Sequence, residues 1–129
     1  MDTTLETLIM VYKMQDIDWL GYKLNENFTY HHLIKKCDGG KKIFNNGAVL
    51  YETSHSYLHR IEYYDFEKYV YINNILKEVN NQRYMTTIEQ LMKIDYVLKQ
   101  FEEEHKNYIS NRGKVLIKEK YKKRIISTT

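Results

Sequence analysis

The sequence predicts an α+β fold: a two-stranded hairpin leading into a helix, packed against additional C-terminal helices. Three observations predict it. Two short apolar runs, 28–34 and 48–52, flank a stretch punctuated by glycines 39–40 and by Asn45, Asn46 and Gly47, which is the pattern of strands joined by a loop. Beyond Thr53, apolar residues recur at helical spacing, most clearly over 66–79 and 88–101. The chain has no proline, so element ends rest on glycine, asparagine, aspartate and capping residues.

Taken in order, residues 4–13 suit either a short helix or a strand, and residues 16–24 read as an aromatic turn around Gly21. Trp19 and Tyr22 in that turn are expected in the core rather than as platforms for stacked bases. "FTYHHLI" (28–34) and "AVLYE" (48–52) are the strands, with "KKCDGGKKIFNNG" as the loop between them. Thr53 is the expected N-cap of a helix over about 53–62, and Asp65 of the next. In that next helix Phe66, Tyr69, Val70, Ile72, Leu76 and Val79 form an apolar stripe. Thr86 or Thr87 opens the longest helix, where Ile88, Leu91, Met92, Leu98 and Phe101 fall at helical spacing. "SNRG" ends it, and "KVLIKEKYKKRII" is expected as a short closing helix. At 129 residues the chain fits one domain, 1–129, with a hairpin–helix core over about 28–62 and a helical extension over about 63–125.

Composition narrows the function. No run of about 18 apolar residues is present, and the acidic N-terminus lacks the pattern of a secretory signal, so a cytoplasmic protein with no membrane partner is expected. The single cysteine, Cys37, excludes an internal disulfide or a multi-cysteine zinc knuckle, and it reads as a loop bystander. Any metal must therefore be held by histidine and carboxylate. The net charge of +3 is small, but eight basic residues and one acidic residue fall in 105–129. Such a segment suits phosphate-backbone binding, or is simply a solvated tail.

Four of the five histidines crowd into 31–59. His55 and His59 are four apart on the expected helix, hence on one face, one turn apart. Imidazoles so placed grip a transition metal, or else line a tyrosine-rich helix interface. His31 and His32 are adjacent on a strand, where neighbouring side chains point to opposite faces. One of them can then face a metal while the other, with a neutral imidazole near pH 7, takes a proton from water. His105, in "EEEHK", reads as an incidental histidine on an exposed face.

These residues carry a resemblance. "HHLI", "DGG", "NGAVL" and "HSYLH" resemble the HNH (ββα-metal, His-Me finger) endonuclease motif, with thirteen residues between His32 and Asn46, eight between Asn46 and His55, and three between His55 and His59. It covers about 35 of the 129 residues. It implies a ββα-metal core and a small metal-dependent endonuclease that hydrolyses phosphodiester bonds in nucleic acid, with DNA as the expected partner. It implies His32 as general base and Asn46 as the asparagine that braces the hairpin and orients that base. His55 and His59 would be the helical metal ligands, and His31 a further ligand. One divalent ion is implied: Mg²⁺, Mn²⁺, Zn²⁺ or Ni²⁺, with imidazole ligands favouring the last two in affinity.

Departures from the motif are Lys35 and Lys36 where a proline is frequent, Ser54 where a cysteine often precedes the first helical histidine, and no flanking cysteine pairs. Asn45 competes with Asn46 for the loop position. Lys35, Lys36, Lys41, Lys42 and Arg60 are candidate contacts to nucleic acid; the competing readings are a solvated loop for the lysines and an ion pair with Glu62 or Glu52 for Arg60. One motif of this size covers one strand, so cutting both takes a homodimer or two events. A different class of function keeps the same core as a catalytically silent binding protein with a structural metal, gripping a protein or nucleic acid and encoded by a phage or mobile element.

Overall fold

The computed structural model describes residues 3–105 and is a mixed helix-and-strand fold. Helix α1 (Thr3–Val11) precedes a long turn, then strand β1 (Phe28–His32), strand β2 (Gly47–Tyr51) and helices α2 (Glu52–Tyr64), α3 (Phe66–Gln82) and α4, described over Ile88–His105. The strands form one antiparallel pair, from Phe28 opposite Tyr51 to His32 opposite Gly47. The basic C-terminal segment, "SNRG" and the expected closing helix lie outside the described residues. No helix among the described residues is long and apolar enough to cross a membrane.

Residues 4–13, open between helix and strand on sequence, are mostly helix, with Leu8 buried against the hairpin. Lys13, at φ 53°, turns the chain out of it. Strand β1 stops two residues short of the expected end for a specific reason. The Ile34 N–H donates to Asn46 Oδ1 at 2.7 Å, and Asn46 Nδ2 donates to the Ile34 carbonyl at 3.0 Å. An amide side chain thus takes the place of the partner strand, and the ladder ends at His32. Gly40 then passes so close that a Cβ there would lie 1.8 Å from the Ile34 carbonyl oxygen.

Helix α2 begins at Glu52, and Thr53 is not its cap: the N-cap position is Tyr51, which offers no side-chain bond. Carboxylates from the preceding turn satisfy the helix end instead. Glu26 accepts from the Thr53 N–H at 3.0 Å and from its hydroxyl at 2.5 Å. Asp18 accepts from the Tyr51 N–H at 3.1 Å and from Ser54 Oγ at 2.5 Å. Two acids at a helix N-terminus also complement its dipole. The other caps match their sequence signals. Asp65 accepts from the Lys68 N–H, and Thr87 and Gln90 form a reciprocal capping box at the start of α4.

The hairpin sits at the centre. Helix α1 packs on β2, α2 and α3 pack on the strands and on each other, and α4 closes over α3. Trp19, Tyr22, Leu50, Leu58, Ile61, Ile72, Leu76, Ile94 and Phe101 are fully buried, with Trp19 and Tyr22 in the core as expected. The apolar stripes need correction at their edges. Phe66, Val70, Ile88 and Met92 are exposed, while Ile75, Ile94 and Val97 take core positions. Each helix is buried by more than one neighbour, so the face that matters is rotated from the one the apolar count alone selects.

Candidate metal centre

Strand β1 delivers His31 inward, and the ring is 1% exposed between α2 and α3. Helix α2 delivers His55 and His59 from successive turns, with ring centroids 4.8 Å apart. His31 Nδ1 lies 3.4 Å from His55 Nε2, and His55 Nε2 lies 3.1 Å from His59 Nε2. One donor nitrogen from each of the three lies within 4.8 Å of the others.

The partners of the outer nitrogens determine where the protons are. Asn73 Nδ2 donates to the Leu33 carbonyl at 2.9 Å, which leaves its Oδ1 to accept from His31 Nε2–H at 2.8 Å. The Thr29 hydroxyl donates to the Leu50 carbonyl at 2.9 Å, so its oxygen accepts from His55 Nδ1–H at 3.0 Å. The Glu62 carboxylate accepts from His59 Nδ1–H at 3.0 Å. With each ring neutral, the three inner nitrogens therefore carry lone pairs and no proton. Three lone pairs facing one another repel unless something positive lies between them. Nitrogens about 2.05 Å from a tetrahedral ion stand about 3.3 Å apart, and the observed 3.1 and 3.4 Å bracket that separation. The donor set fits a divalent metal, with hydrogen-bonded outer nitrogens of the kind that orient metal-bound imidazoles.

Electrostatics agree. Burial, then the charge of His55 and His59, pushes His31 down to about 3 against the opposing Asn73 hydrogen bond. Burial and the charge of His59 and His32 push His55 to about 4. Both imidazoles are neutral near pH 7, the state a metal ligand needs. Burial pushes the Glu62 carboxyl up, but hydrogen bonds from Lys35 and His59 outweigh it and hold it below its ordinary value.

His32 is half-buried at the end of β1, and its ring stands edge-on to Tyr30, 4.9 Å between centroids. It thus shares the strand face of Tyr30 and not that of His31. Burial, then Lys42 and Lys36, lowers its pKa. Asn46 is buried whereas Asn45 is exposed and accepts from Arg83 at 2.7 Å, so Asn46 is the loop asparagine bonded into the hairpin. All three Asn46 side-chain bonds go to backbone, to Ile34 N–H and to the Ile34 and Lys41 carbonyls. Asn46 braces the hairpin loop; among the described residues it makes no hydrogen bond that would orient His32.

The candidate nucleic-acid contacts separate. Lys36 and Lys42 act on His32, with Lys42 also over the Tyr30 ring at 5.4 Å. Lys35 is turned inward to pair with Glu62 and lies 6.0 Å from the Tyr69 ring centroid. The side chains of Lys41 and Arg60 are exposed. Glu62, expected as a partner of Arg60, is engaged by Lys35 and His59.

His105 is not the exposed bystander its sequence context suggests. Its side chain is 16% exposed, stacked 4.6 Å from Phe101, with Nε2 3.5 Å from Asp65. It forms a second cluster with Asp65 and Glu104, but Lys68 Nζ already bridges those carboxylates at 2.9 and 3.0 Å. That cluster ties α3 to α4 by charge.

Sequence reasoning missed the residues that hold the imidazoles in place: Asn73, Thr29 and Glu62. Only Asn73 left a signal. It and Asn80 lie seven apart within the apolar face of α3, and both are buried. Asparagines at core positions need partners, and Asn80 donates to the Phe44 and Gly47 carbonyls at 2.8 and 2.7 Å. No protein-family model, curated protein or solved structure matches the chain.

Proposed function

We propose that the chain is a metal-dependent endonuclease of the HNH (ββα-metal) kind, hydrolysing phosphodiester bonds in nucleic acid, with DNA as substrate. The observation that carries the reading is the convergence of three unprotonated nitrogens, from His31, His55 and His59, on the unit that also bears a half-buried His32. Those three histidines would hold one divalent ion, Zn²⁺ or Ni²⁺ by affinity, with Mg²⁺ or Mn²⁺ as more weakly held alternatives. Bound there, the ion supplies Lewis-acid charge for the phosphate and the leaving oxygen.

His32 is the base. Its lowered pKa keeps the imidazole neutral at pH 7, ready to take a proton from water as the water oxygen attacks phosphorus and the ester P–O bond breaks. Lys36 and Lys42, beside it, offer charge to flanking phosphates, and the Asn46 brace keeps the loop that carries both lysines in register.

A second reading, a silent binding protein with a structural metal, draws on one observation: His32 shares the face of Tyr30 rather than that of His31. Supercoiled-plasmid nicking with Mg²⁺, Mn²⁺, Ni²⁺ and Zn²⁺, comparing wild type with His32→Ala, separates the two. The endonuclease reading expects nicking that falls by roughly 100-fold or more in the variant. Undiminished nicking sinks the base assignment. Stoichiometric metal binding without nicking in any metal favours the binding protein.

A further inference from the structure

The motif-like segment supplies all three ligands, yet the acceptor that orients the most buried of them comes from elsewhere. Asn73 lies on α3, outside residues 28–62, and its two amide atoms do two different things. Nδ2 donates to the Leu33 carbonyl at the end of β1, and Oδ1 accepts from His31 Nε2–H. The first bond fixes the orientation of the amide, and the second places the His31 proton on the outer nitrogen. Seven residues on, Asn80 grips the Gly47 carbonyl at the start of β2. Helix α3 thus holds both ends of the loop that joins the strands.

We propose that Asn73 is the positioning residue that makes His31 offer Nδ1 to the metal, so that the metal site is completed by α3 and not by the hairpin and α2 alone. This rests on the reading of His31, His55 and His59 as one metal site. Removing Oδ1 has a defined consequence. Without an acceptor, a buried Nε2–H is costly, and the proton has a better place on Nδ1, 3.4 Å from the His55 Nε2 lone pair. An internal His31–His55 hydrogen bond then fills the space between the ligands, and a metal has to displace a proton to enter.

Three proteins test this: wild type, Asn73→Leu and Asn73→Asp. Aspartate keeps an acceptor for His31 but loses the donor to Leu33; leucine loses both. The readouts are the His31 ring tautomer in the metal-free protein, by long-range ¹⁵N–¹H correlation at neutral pH, and Zn²⁺ affinity by competition with a chromogenic chelator. Wild type and Asn73→Asp should show the Nε2–H tautomer and similar affinities. Asn73→Leu should shift toward Nδ1–H and bind Zn²⁺ roughly 10–100-fold more weakly. A merely structural role predicts instead that Asn73→Asp, which loses the Leu33 bond, weakens along with Asn73→Leu.

Unchanged affinity in a folded Asn73→Leu overturns the proposal, as does an Nδ1–H tautomer in the wild type. The wild-type spectrum reads that second outcome even if the leucine variant fails to fold. Failure of the wild type to bind Zn²⁺ or Co²⁺ at all overturns the metal site itself, a result distinct from either.

Discussion

Acidifying the metal-free protein perturbs the proposed site without changing a residue. Unfolded, each imidazole titrates near 6.5; folded, His31 is held down to about 3 and His55 to about 4. A lowered histidine pKa means that the unfolded chain binds more protons, so the stability present above about 6.5 is lost as pH falls through that value. Between pH 7.5 and pH 5, His31 accounts for a loss of about 2 kcal/mol, and half-buried His55, discounted for solvent screening, for about 1 kcal/mol. Buried Asp18 works the other way. Burial raises its carboxyl from 3.8 to about 6 despite four donors, so the folded state takes up that proton first. Over the same interval it returns about 1 kcal/mol.

The net loss is about 2 kcal/mol, and it would move a urea midpoint down by about 1 M for a chain of this size. The assay is urea unfolding followed by circular dichroism in the presence of chelator, at pH 7.5, 6 and 5. His55→Gln should show about 1 kcal/mol less acid loss than wild type. A wild-type midpoint that stays level or rises between pH 7.5 and 5 refutes the assignment of neutral, buried imidazoles.

Asn46→Ala removes three hydrogen bonds and deprives the Ile34 N–H and carbonyl of their Asn46 partners, while the Lys41 carbonyl keeps the Ile43 N–H, so it should cost about 2–4 kcal/mol in urea unfolding. Asn45→Ala, which loses one exposed bond to Arg83, should cost under about 1 kcal/mol; equal effects would contradict Asn46 as the loop asparagine bonded into the hairpin. Zn²⁺ at about 100 times its dissociation constant should stabilise the wild type by about 2.7 kcal/mol, measured as a reversible rise in melting temperature that chelator abolishes. His59→Ala should lose most of that rise, and its retention would remove His59 from the ligand set.

Several features were open to reading in one dimension because they follow from neighbours in the chain. His55 and His59 share a helix face through a spacing of four, and Asp65 and Thr87 announce their helices by local capping. The glycine and asparagine loop between two apolar runs marks the hairpin. The apolar stripes of α3 and α4 were legible as helices but not as faces, since Phe66, Val70, Ile88 and Met92 turned out exposed. Which flank of a helix is covered depends on where its neighbours lie, and that is not local information.

Residue order alone thus determined the α+β pattern, the hairpin–helix order and the three histidines capable of meeting, because periodicity and turn chemistry act over a few residues. Tertiary packing decided the rest. It brought Glu26 and Asp18 to the start of α2, put Asn46 in place of a missing strand partner, and carried Asn73 across more than forty positions to His31. The proton positions on the three imidazoles depend on those long-range acceptors. A sequence can list the candidate ligands, but only the folded chain determines which nitrogen each one presents.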